Sequence, residues 1–228
     1  MAVIILDRTK PFPPMDSIDE SGLVAVGGSL TLKRLVEAYS KGIFPWYSEG
    51  EPVLWWSPDP RVVLFPEELH VSKSMKRELN RKKFSVTVDK EFEKVMLYCR
   101  ETRADKEGSW ITNDMIEAYK EFHYAGYAHS VEVWDGGKLV GGFYGVSMGK
   151  IFFGESMFYL KKNASKFGFI KFVLNLKKLG FRLIDCQVDT DHLKSFGARE
   201  ISRDYFLNEI KDEIENTAKI FTVFPDFF

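Results

Sequence analysis

The stretch KGIFPWYSEGEPVLWWSPDPR, residues 41–61, combines three of the five tryptophans of the chain with several prolines. Proline fixes backbone angles and is excluded from helix interiors and central strands, so this stretch predicts a stiff loop rather than a regular amphipathic element. Large flat side chains on such a loop form a preformed apolar wall, which suits recognition. They also suit a small aromatic core beneath the loop, and the composition leaves both interpretations open.

Five further segments share a pattern with one known family, in the same order. They are GLVAVGG at 22–28, SWIT at 109–112, HSVEVW at 129–134, GESMF at 154–158 and LIDCQ at 183–187. Together with residues 41–61 they resemble the signatures of the leucyl/phenylalanyl-tRNA–protein transferases. The resemblance extends from about the first dozen residues to near Phe206, and six motifs in order are specific where one alone is weak.

The bulk composition is that of an ordinary globular protein. The chain has 228 residues, of which 45% are apolar and 29% charged, and its net charge is −1. This is ample material for a hydrophobic core. The near-zero net charge argues against a protein that coats nucleic acid with basic surface, although a local basic patch remains compatible with it.

Cysteine usage and hydropathy indicate the compartment. Cys99 and Cys186 are too few for a disulfide framework, and no Cys or His spacing is typical of zinc, so we expect no metal. No apolar run approaches the roughly 20 residues of a membrane span. We therefore expect a cytoplasmic protein with no membrane attachment, and we expect a monomer.

The N-terminal part of the chain predicts a small domain. Residues 1–30 are rich in proline and glycine. Thr31 can cap a helix that continues to about Lys41, and Gly42 follows where a left-handed residue is wanted. Residues 61–65 read as a short strand stopped by Pro66. We place a domain boundary here, between an N-terminal domain of residues 1–65 and a catalytic domain of residues 66–228.

The second part alternates between helical and strand patterns. The predicted helices cover residues 70–80, 112–125 and 163–180, with short helices near 192 and from 204. The predicted strands cover 84–88, 130–134, 138–146, 150–159 and 181–188. Helices around an antiparallel meander indicate the α+β class. The resemblance implies an N-acetyltransferase-like (GNAT) mixed-sheet domain behind the small N-terminal domain.

A carboxylate and an amide occupy alternate positions at the end of an apolar strand. Because side chains alternate across a strand, Asp185 and Gln187 should face one way and Cys186 the other. Such a pair suits acyl transfer, where one group receives or positions a proton and another stabilises an oxyanion. The residues equally fit polar strand ends that satisfy nearby backbone. The resemblance implies that Asp185 and Gln187 are catalytic, and we interpret Cys186 as structural because no base adjoins it.

Glu155 lies in an otherwise apolar strand, where an unpaired carboxylate is costly. The pattern fits a group that awaits a cationic ligand, and it also fits a salt bridge to a distant residue. The resemblance implies that Glu155 lies at the active site and attracts a cationic acceptor. The four histidines are scattered, and His192 alone follows the Asp185 strand closely.

Apolar positions on several elements are candidates for a substrate pocket. Most such residues belong to hydrophobic cores, and the sequence does not separate the two roles. The resemblance implies a pocket for an apolar aminoacyl side chain. The residues that we assign to it are Trp46, Trp110, Phe143, Phe153, Met157, Phe172 and Ile184.

A local group of basic residues, hereafter the basic cluster, comprises Lys73, Lys76, Arg77, Lys82 and Lys83. The first three share one helical face, since they are spaced i, i+3 and i+4. Basic side chains of this kind bind a phosphate backbone, although a solvated helix face is the usual role of a charge run. The resemblance implies that the basic cluster binds tRNA.

The reaction implied by the resemblance moves leucine or phenylalanine, with methionine as a further candidate, from aminoacyl-tRNA to a protein. The acceptor would be the N-terminal α-amine of proteins that begin with arginine or lysine, which marks them for N-degron degradation. An aminoacyl ester is already an activated acyl donor, so we expect no cofactor. The glycines at 141, 142 and 145 form neither GxGxxG nor a P-loop, so we expect no nucleotide hydrolysis.

Two rival functions remain. An acyl-CoA-dependent N-acyltransferase would need a Q/R-x-x-G-x-G/A loop before a helix, and residues 161–166 lack it. A non-catalytic RNA-binding module would leave the Asp185–Gln187 pair without a role. Two departures from the family pattern, Tyr159 in place of a frequent serine and Phe196 in place of leucine, leave the preference among Leu, Phe and Met open.

Overall fold

Two β-sheets of unequal size organise the described part of the chain. The structure is a computed structural model that describes residues 4–7, 9–18, 21–81, 83–107 and 109–216. The strands are β1 (Ile5–Leu6), β2 (Leu23–Gly27), β3 (Phe44–Pro45), β4 (Leu54–Trp56), β5 (Arg61–Leu64), β6 (Ser85–Val88), β7 (Ala128–Asp135), β8 (Lys138–Met148), β9 (Ile151–Tyr159), β10 (Leu183–Gln187) and β11 (Arg199–Ile201). The helices are α1 (Leu32–Ser40), α2 (Lys73–Asn80), α3 (Phe92–Glu107), α4 (Asn113–Tyr124), α5 (Ala164–Lys178), α6 (Asp191–Lys194) and α7 (Arg203–Asn216).

The aromatic–proline stretch supplies two strands of the smaller sheet, whose order is β1-β2-β4-β3. Pro45 pairs with Trp55 from the edge strand β3, a position that tolerates the missing N–H of proline. Trp55 is fully buried, and its indole N–H donates to the Gly27 carbonyl at 2.9 Å. Trp46 is 47% exposed. The aromatic-core interpretation therefore holds for Trp55, whereas Trp46 presents its ring at the surface.

The larger sheet has seven strands in the order β11-β5-β10-β9-β8-β7-β6. Strands β9 and β10 are parallel and are joined by α5, as a parallel connection requires. Their pairing ends at Phe153 and Asp185, although β9 continues to Tyr159. The two strands therefore separate where Glu155 and Gln187 lie.

The mixed α+β class, with a small N-terminal sheet and a mixed C-terminal sheet, is confirmed. Strand β5 pairs with β10 and β11 inside the larger sheet. The boundary drawn at residue 65 separates this strand from its own sheet, so we propose a boundary just before Arg61. Local pattern identified the strand correctly, but it carries no information about the strand with which it pairs.

Side-chain caps start the helices close to the predicted positions. Thr31 accepts a hydrogen bond from the Arg34 amide at the start of α1, and Thr112 accepts one from the Met115 amide at the start of α4. Helix α2 begins after its cap Ser72, later than the predicted residue 70. The amide of His70 instead donates to the Phe196 carbonyl at 2.8 Å, a tertiary contact that holds this residue outside the helix.

Several elements were not predicted. Helix α3 is the largest omission, although Phe92, Val95, Met96 and Cys99 are buried at the i, i+3, i+4, i+7 spacing of one helical face. Strands β1, β3, β4 and β11 contain only two or three residues each. So few residues give no usable alternation, and these strands exist because neighbouring strands pair with them.

Hydrophobic clusters cover both faces of the larger sheet. One cluster contains Val63 and Phe153 and extends to α1, α3, α4, α7 and the smaller sheet. The other contains Val62, Leu64 and Phe152 and extends to α2 and α5. Consecutive strand residues thus alternate between the clusters, as the pleat requires. No helix in the described part of the chain combines the length and apolar composition of a membrane span.

Candidate active site

The separation of β9 from β10 coincides with a carboxylate inside the protein. In the pairing of β8 with β9, Tyr144 lies opposite Ser156 and Gly145 opposite Gly154, so Glu155 is the extra residue of a β-bulge. A bulge redirects a side chain while the strand continues, and bulges recur beside active sites. Glu155 is buried but keeps 8% of its surface exposed.

Three side chains from separate elements hold the Glu155 carboxylate. The Tyr39 hydroxyl of α1 donates to Oε1 at 2.6 Å, and the Gln187 amide of β10 donates to the same oxygen at 2.8 Å. The Tyr119 hydroxyl of α4 lies 3.4 Å from Oε2. The two tyrosine hydroxyls are also hydrogen-bonded to each other. The result is a closed network of one carboxyl, one amide and two phenols.

Burial dominates the protonation of this network. It raises the pKa of Glu155 to about 7, the hydrogen bond from Tyr39 opposes this rise, and the negative charge of Asp185 adds to it. Burial also raises the pKa of both Tyr39 and Tyr119 well above the ordinary value, and the charge of Glu155 acts in the same direction. The tyrosines therefore stay protonated donors, while Glu155 exchanges a proton near neutral pH.

A buried ion pair adjoins the network. Arg61 of β5 donates from Nε and Nη2 to the two oxygens of Asp185, at 2.8 and 2.6 Å. Both side chains are fully buried. The guanidinium lies over the rings of Phe44 and Phe206, 4.8 and 4.6 Å from their centroids. This bidentate geometry fixes the plane and the direction of the Asp185 carboxylate.

Asp185 in turn fixes the backbone of Gln187. The backbone N–H of Gln187 donates to Asp185 Oδ1 at 2.9 Å. Gln187 adopts the left-handed conformation, with φ of 63°, which is uncommon for a residue other than glycine. Such a conformation persists where the surroundings impose it, and it recurs at functional sites. It turns the chain out of β10 while the side chain of Gln187 reaches Glu155.

Comparison with known proteins identifies the family of this chain. The profile described as leucyl/phenylalanyl-tRNA protein transferase matches residues 63–211, and the profile of the N-terminal domain of that family matches residues 28–59. A leucyl/phenylalanyl-tRNA–protein transferase of Pseudomonas fluorescens is 54% identical over 210 residues, which span 91% of this chain and 93% of the relative. The chain belongs to this family.

Other relatives agree. Transferases of the same name from Christiangramia forsetii and Nitrosospira multiformis are 56% and 52% identical, over 89% and 91% of this chain and 97% and 90% of their own.

Among solved structures, L-PGS from Bacillus licheniformis aligns with a TM-score of 0.41 and 12% identity over 70% of this chain and 51% of its own. A GCN5-related N-acetyltransferase from Kribbella flavida aligns with a TM-score of 0.39 and 11% identity over 75% and 60%. This chain thus spans only about half to three fifths of those solved chains.

The catalytic pair predicted for the transferase occupies the same side of β10. Asp185 and Gln187 both belong to the network around Glu155, whereas Cys186 lies in the cluster on the opposite face of the sheet. Burial raises the pKa of the Cys186 thiol far above its ordinary range, which keeps it protonated and unreactive. The contacts of Asp185 fit the predicted orienting role. They do not fit direct proton abstraction, because the side chain is fully buried and both of its oxygens are paired with the Arg61 guanidinium.

Of the two alternatives drawn from the sequence for Glu155, the salt bridge is absent within the described residues. Two tyrosines and a glutamine hold the carboxylate instead, and its attraction of a cationic acceptor stays a prediction. The sequence pattern gave no indication of Tyr39 and Tyr119, and Arg61 was not assigned to the site. Their contacts with the site bridge 116, 36 and 124 positions in sequence. The sequence feature that could have pointed to Arg61 is its position as the last residue of the aromatic–proline stretch.

The residues assigned to the pocket of the transferase do not share one surface. Phe143, Phe172 and Ile184 are buried in one cluster with Met157 packed against it. Phe153 lies in the cluster on the other face of the sheet, and Trp110 packs against that cluster. The pleat separates the two groups, which apolar character alone could not reveal.

The two loops that carry Trp46 and Trp110 lie side by side. The hydroxyls of Tyr47 and Thr112, close to them in sequence, are 3.3 Å apart and hydrogen-bonded. Trp46 is about half exposed, and the Trp56 indole N–H donates to its backbone carbonyl at 2.8 Å. The indole of Trp46 is therefore presented on a braced backbone.

The described part of the basic cluster is at the surface. Lys73, Lys76, Arg77 and Lys83 are exposed, and Lys82 lies outside the described residues. Helix α2 carries the first three and anchors itself through the buried side chain of Met75. Neighbouring Arg81 forms a surface ion pair with Glu78 at 3.3 Å. The cationic face is therefore solvent-accessible, as both the phosphate-binding and the solvated-face interpretations require.

Proposed function

We propose that this transferase moves leucine or phenylalanine, with methionine as a third donor, from aminoacyl-tRNA to the N-terminal α-amine of proteins that begin with arginine or lysine. The main support is the family membership over most of the chain, together with the Glu155 network at the point where β9 and β10 separate. An acidic residue that keeps a small exposed surface suits a cationic amine better than an acyl-CoA thioester.

The main requirement of the reaction is that the protein positions the ester and the amine next to each other. Conversion of an ester to an amide is downhill, and an α-amine with a pKa of roughly 7.7–8.0 is partly neutral at cellular pH. Holding the two reactants together supplies about 7–11 kcal/mol of the barrier in well-oriented cases. We assign Gln187 to contact the amine, Glu155 to attract it and Asp185 to orient Gln187.

The aminoacyl end of the donor requires apolar surface. We assign Trp46 and Trp110 to the approach of the donor, because the loops that carry them are joined and Trp46 is exposed. Met157 is only partly buried, so we assign it to direct contact with the leucine or phenylalanine side chain, and the buried Phe143, Phe172 and Ile184 support Met157 from within its cluster. Phe153 supports the opposite side, where its ring contacts Tyr39 edge-on at 5.2 Å.

Transfer of labelled amino acids to short peptides tests the proposed function. We expect Leu-tRNA and Phe-tRNA to label peptides that begin with arginine or lysine, and to leave the same peptides with N-terminal alanine unlabelled. Ala-tRNA should be a poorer donor, because each missing CH₂ forfeits about 0.8 kcal/mol of apolar burial. An N-acetylated arginine peptide is the matched control, since it keeps the side chain and lacks the amine.

Two outcomes would contradict the proposal. Equal labelling of alanine and arginine peptides would remove the acceptor preference. Transfer from acyl-CoA at rates above those from aminoacyl-tRNA would favour the acyltransferase alternative.

The basic cluster makes a prediction about salt. We propose that Lys73, Lys76, Arg77, Lys82 and Lys83 contact tRNA phosphates rather than bases. Replacing Lys73 and Lys76 by alanine should weaken the binding of Leu-tRNA and of Phe-tRNA to the same extent, since phosphate contacts carry no sequence information. The slope of log K against log[salt] should fall by roughly 0.7–0.9 for each phosphate that the variant no longer neutralises. Filter binding over a salt series measures both quantities.

A matched surface pair serves as the control. Lys90 and Lys94 are also exposed lysines, and their replacement by alanine removes the same charge. We expect this variant to keep the wild-type salt slope. An unchanged slope in the Lys73/Lys76 variant would contradict phosphate binding and show that the basic cluster is an ordinary solvated helix face.

We further propose a monomeric cytoplasmic protein that marks its acceptors for degradation. Both cysteines, Cys99 and Cys186, are free and buried, which fits a reducing compartment. The degradation role follows from the resemblance of the sequence to the family.

A further inference from the structure

The site contains two acidic side chains with different surroundings. Asp185 is fully buried, and its two oxygens accept three hydrogen bonds, from Arg61 Nε and Nη2 and from the Gln187 amide. Glu155 keeps a small exposed surface, and its Oε2 has one long contact, 3.4 Å from the Tyr119 hydroxyl. Both oxygens of Asp185 are occupied by the buried guanidinium and the Gln187 backbone N–H, whereas Oε2 of Glu155 has only the long contact to Tyr119 and is the freer oxygen for a substrate amine.

We propose that Glu155, held by the paired hydroxyls of Tyr39 and Tyr119, is the group that accepts the proton of the attacking α-amine. Asp185 and Arg61 are then positioning residues that act through Gln187. This inference rests on the proposed aminoacyl transfer, and it names the residue that performs the proton transfer.

The step balances without any co-reactant. The neutral amine nitrogen forms a bond to the ester carbonyl carbon, and the bond from that carbon to the ribose oxygen of tRNA breaks. The proton released by the nitrogen passes to the Glu155 carboxylate and from there to the departing ribose oxygen. Glu155 ends ionised, as it began, and the products are an amide and a tRNA with a free hydroxyl.

The surrounding groups fit this cycle. The groups that face Glu155 are Tyr39 from α1, Tyr119 from α4, and Gln187 and Asp185 from β10. The charge of Asp185 is compensated by Arg61 from β5. Burial raises the pKa of Glu155 to about 7, close to that of an α-amine, and such a match favours proton transfer in both directions.

The test compares three variants with a matched control. Glu155→Gln keeps an acceptor oxygen for Tyr39 and Gln187 but removes the proton-accepting carboxylate. Tyr39→Phe and Tyr119→Phe each remove one hydroxyl from the pair. Tyr144→Phe is the control, because this buried tyrosine packs edge-on against Tyr119 at 5.9 Å and does not belong to the three groups that hold Glu155.

Single-turnover transfer at saturating peptide is measured against pH for each variant. We expect Glu155→Gln to lower the saturated rate on the order of 10²-fold or more. Tyr39→Phe removes a donor that favours the charged carboxylate, so the pKa of Glu155 rises and the acidic limb of the profile moves up by about one pH unit. Tyr144→Phe should keep the wild-type limb. The acceptor amine is the same throughout, so differences between variants report on the protein.

A second readout does not depend on activity. Infrared spectroscopy of the free protein follows the carbonyl band of protonated Glu155, which is assigned by its loss in Glu155→Gln. We expect this band to titrate near neutral pH and to shift upward in Tyr39→Phe. A wild-type saturated rate in folded Glu155→Gln, or a loss confined to the KM of the peptide, would overturn the inference. If the wild-type protein transferred nothing from any aminoacyl-tRNA, the proposed function would fail, while the infrared titration would still report the proton on Glu155.

Discussion

Asp185→Asn should lower the free energy of unfolding by about 3–5 kcal/mol, because it leaves the guanidinium of Arg61 buried without its counter-charge. Both partners of this ion pair are fully buried, and their two hydrogen bonds are 2.8 and 2.6 Å long. Urea denaturation at constant m-value measures the loss. The transfer rate of the fraction that stays folded should also fall, since Asp185 holds the amide of Gln187.

A double variant separates the stability effect from the catalytic one. Arg61→Met with Asp185→Leu removes both charges, and such apolar replacement of a buried pair is often close to neutral for stability. We expect this protein to unfold near the wild-type denaturant concentration. We expect transfer to remain slow, because the backbone N–H of Gln187 has lost its acceptor, the Asp185 carboxylate. A wild-type free energy of unfolding for Asp185→Asn alone would show that Arg61 finds another partner.

Gln187→Ala should slow single-turnover transfer by about 10²-fold, while tRNA affinity stays almost unchanged. The side-chain amide of Gln187 donates to Glu155 at 2.8 Å, and alanine removes that donor together with the group assigned to the amine. Gln187→Asn is the companion variant, because asparagine tolerates the left-handed backbone but its amide is one carbon shorter. If reach is decisive, both variants are slow.

Cys186→Ser is the control for Gln187, since the thiol adjoins it in sequence but lies in the cluster on the other face of the sheet. We expect it to keep transfer activity. A wild-type rate in Gln187→Ala would remove this residue from the reaction. A folded but inactive Cys186→Ser would instead point to the thiol.

Much of the fold was predictable from local pattern. Thr31 and Thr112 cap the helices that they were predicted to cap, and the strands predicted at 130–134, 138–146 and 150–159 are present as β7, β8 and β9. These signals succeed because a helix cap and the turn residues that bound a strand are specified by residues within a few positions of each other. Helix α3 was not predicted even though its buried residues follow a helical spacing.

Strand partners required the whole structure. The pattern at Arg61–Leu64 indicated a strand but not its partners, because β10 and β11 lie more than a hundred residues away in sequence. Apolar residues gave the same difficulty. Phe143 and Phe153 look alike in sequence, yet they pack on opposite faces of one sheet.

Residue types within single motifs pointed to the acidic and amide groups of the site, Asp185, Gln187 and Glu155. The different roles that we propose for the two acidic residues depend on contacts between distant elements. Arg61 is paired with the Asp185 carboxylate, whereas Tyr39 and Tyr119 contact the Glu155 carboxylate. The physical reason is that the pKa of a carboxyl depends on its burial and on the charges and donors around it, and these are properties of the folded packing rather than of neighbours along the chain.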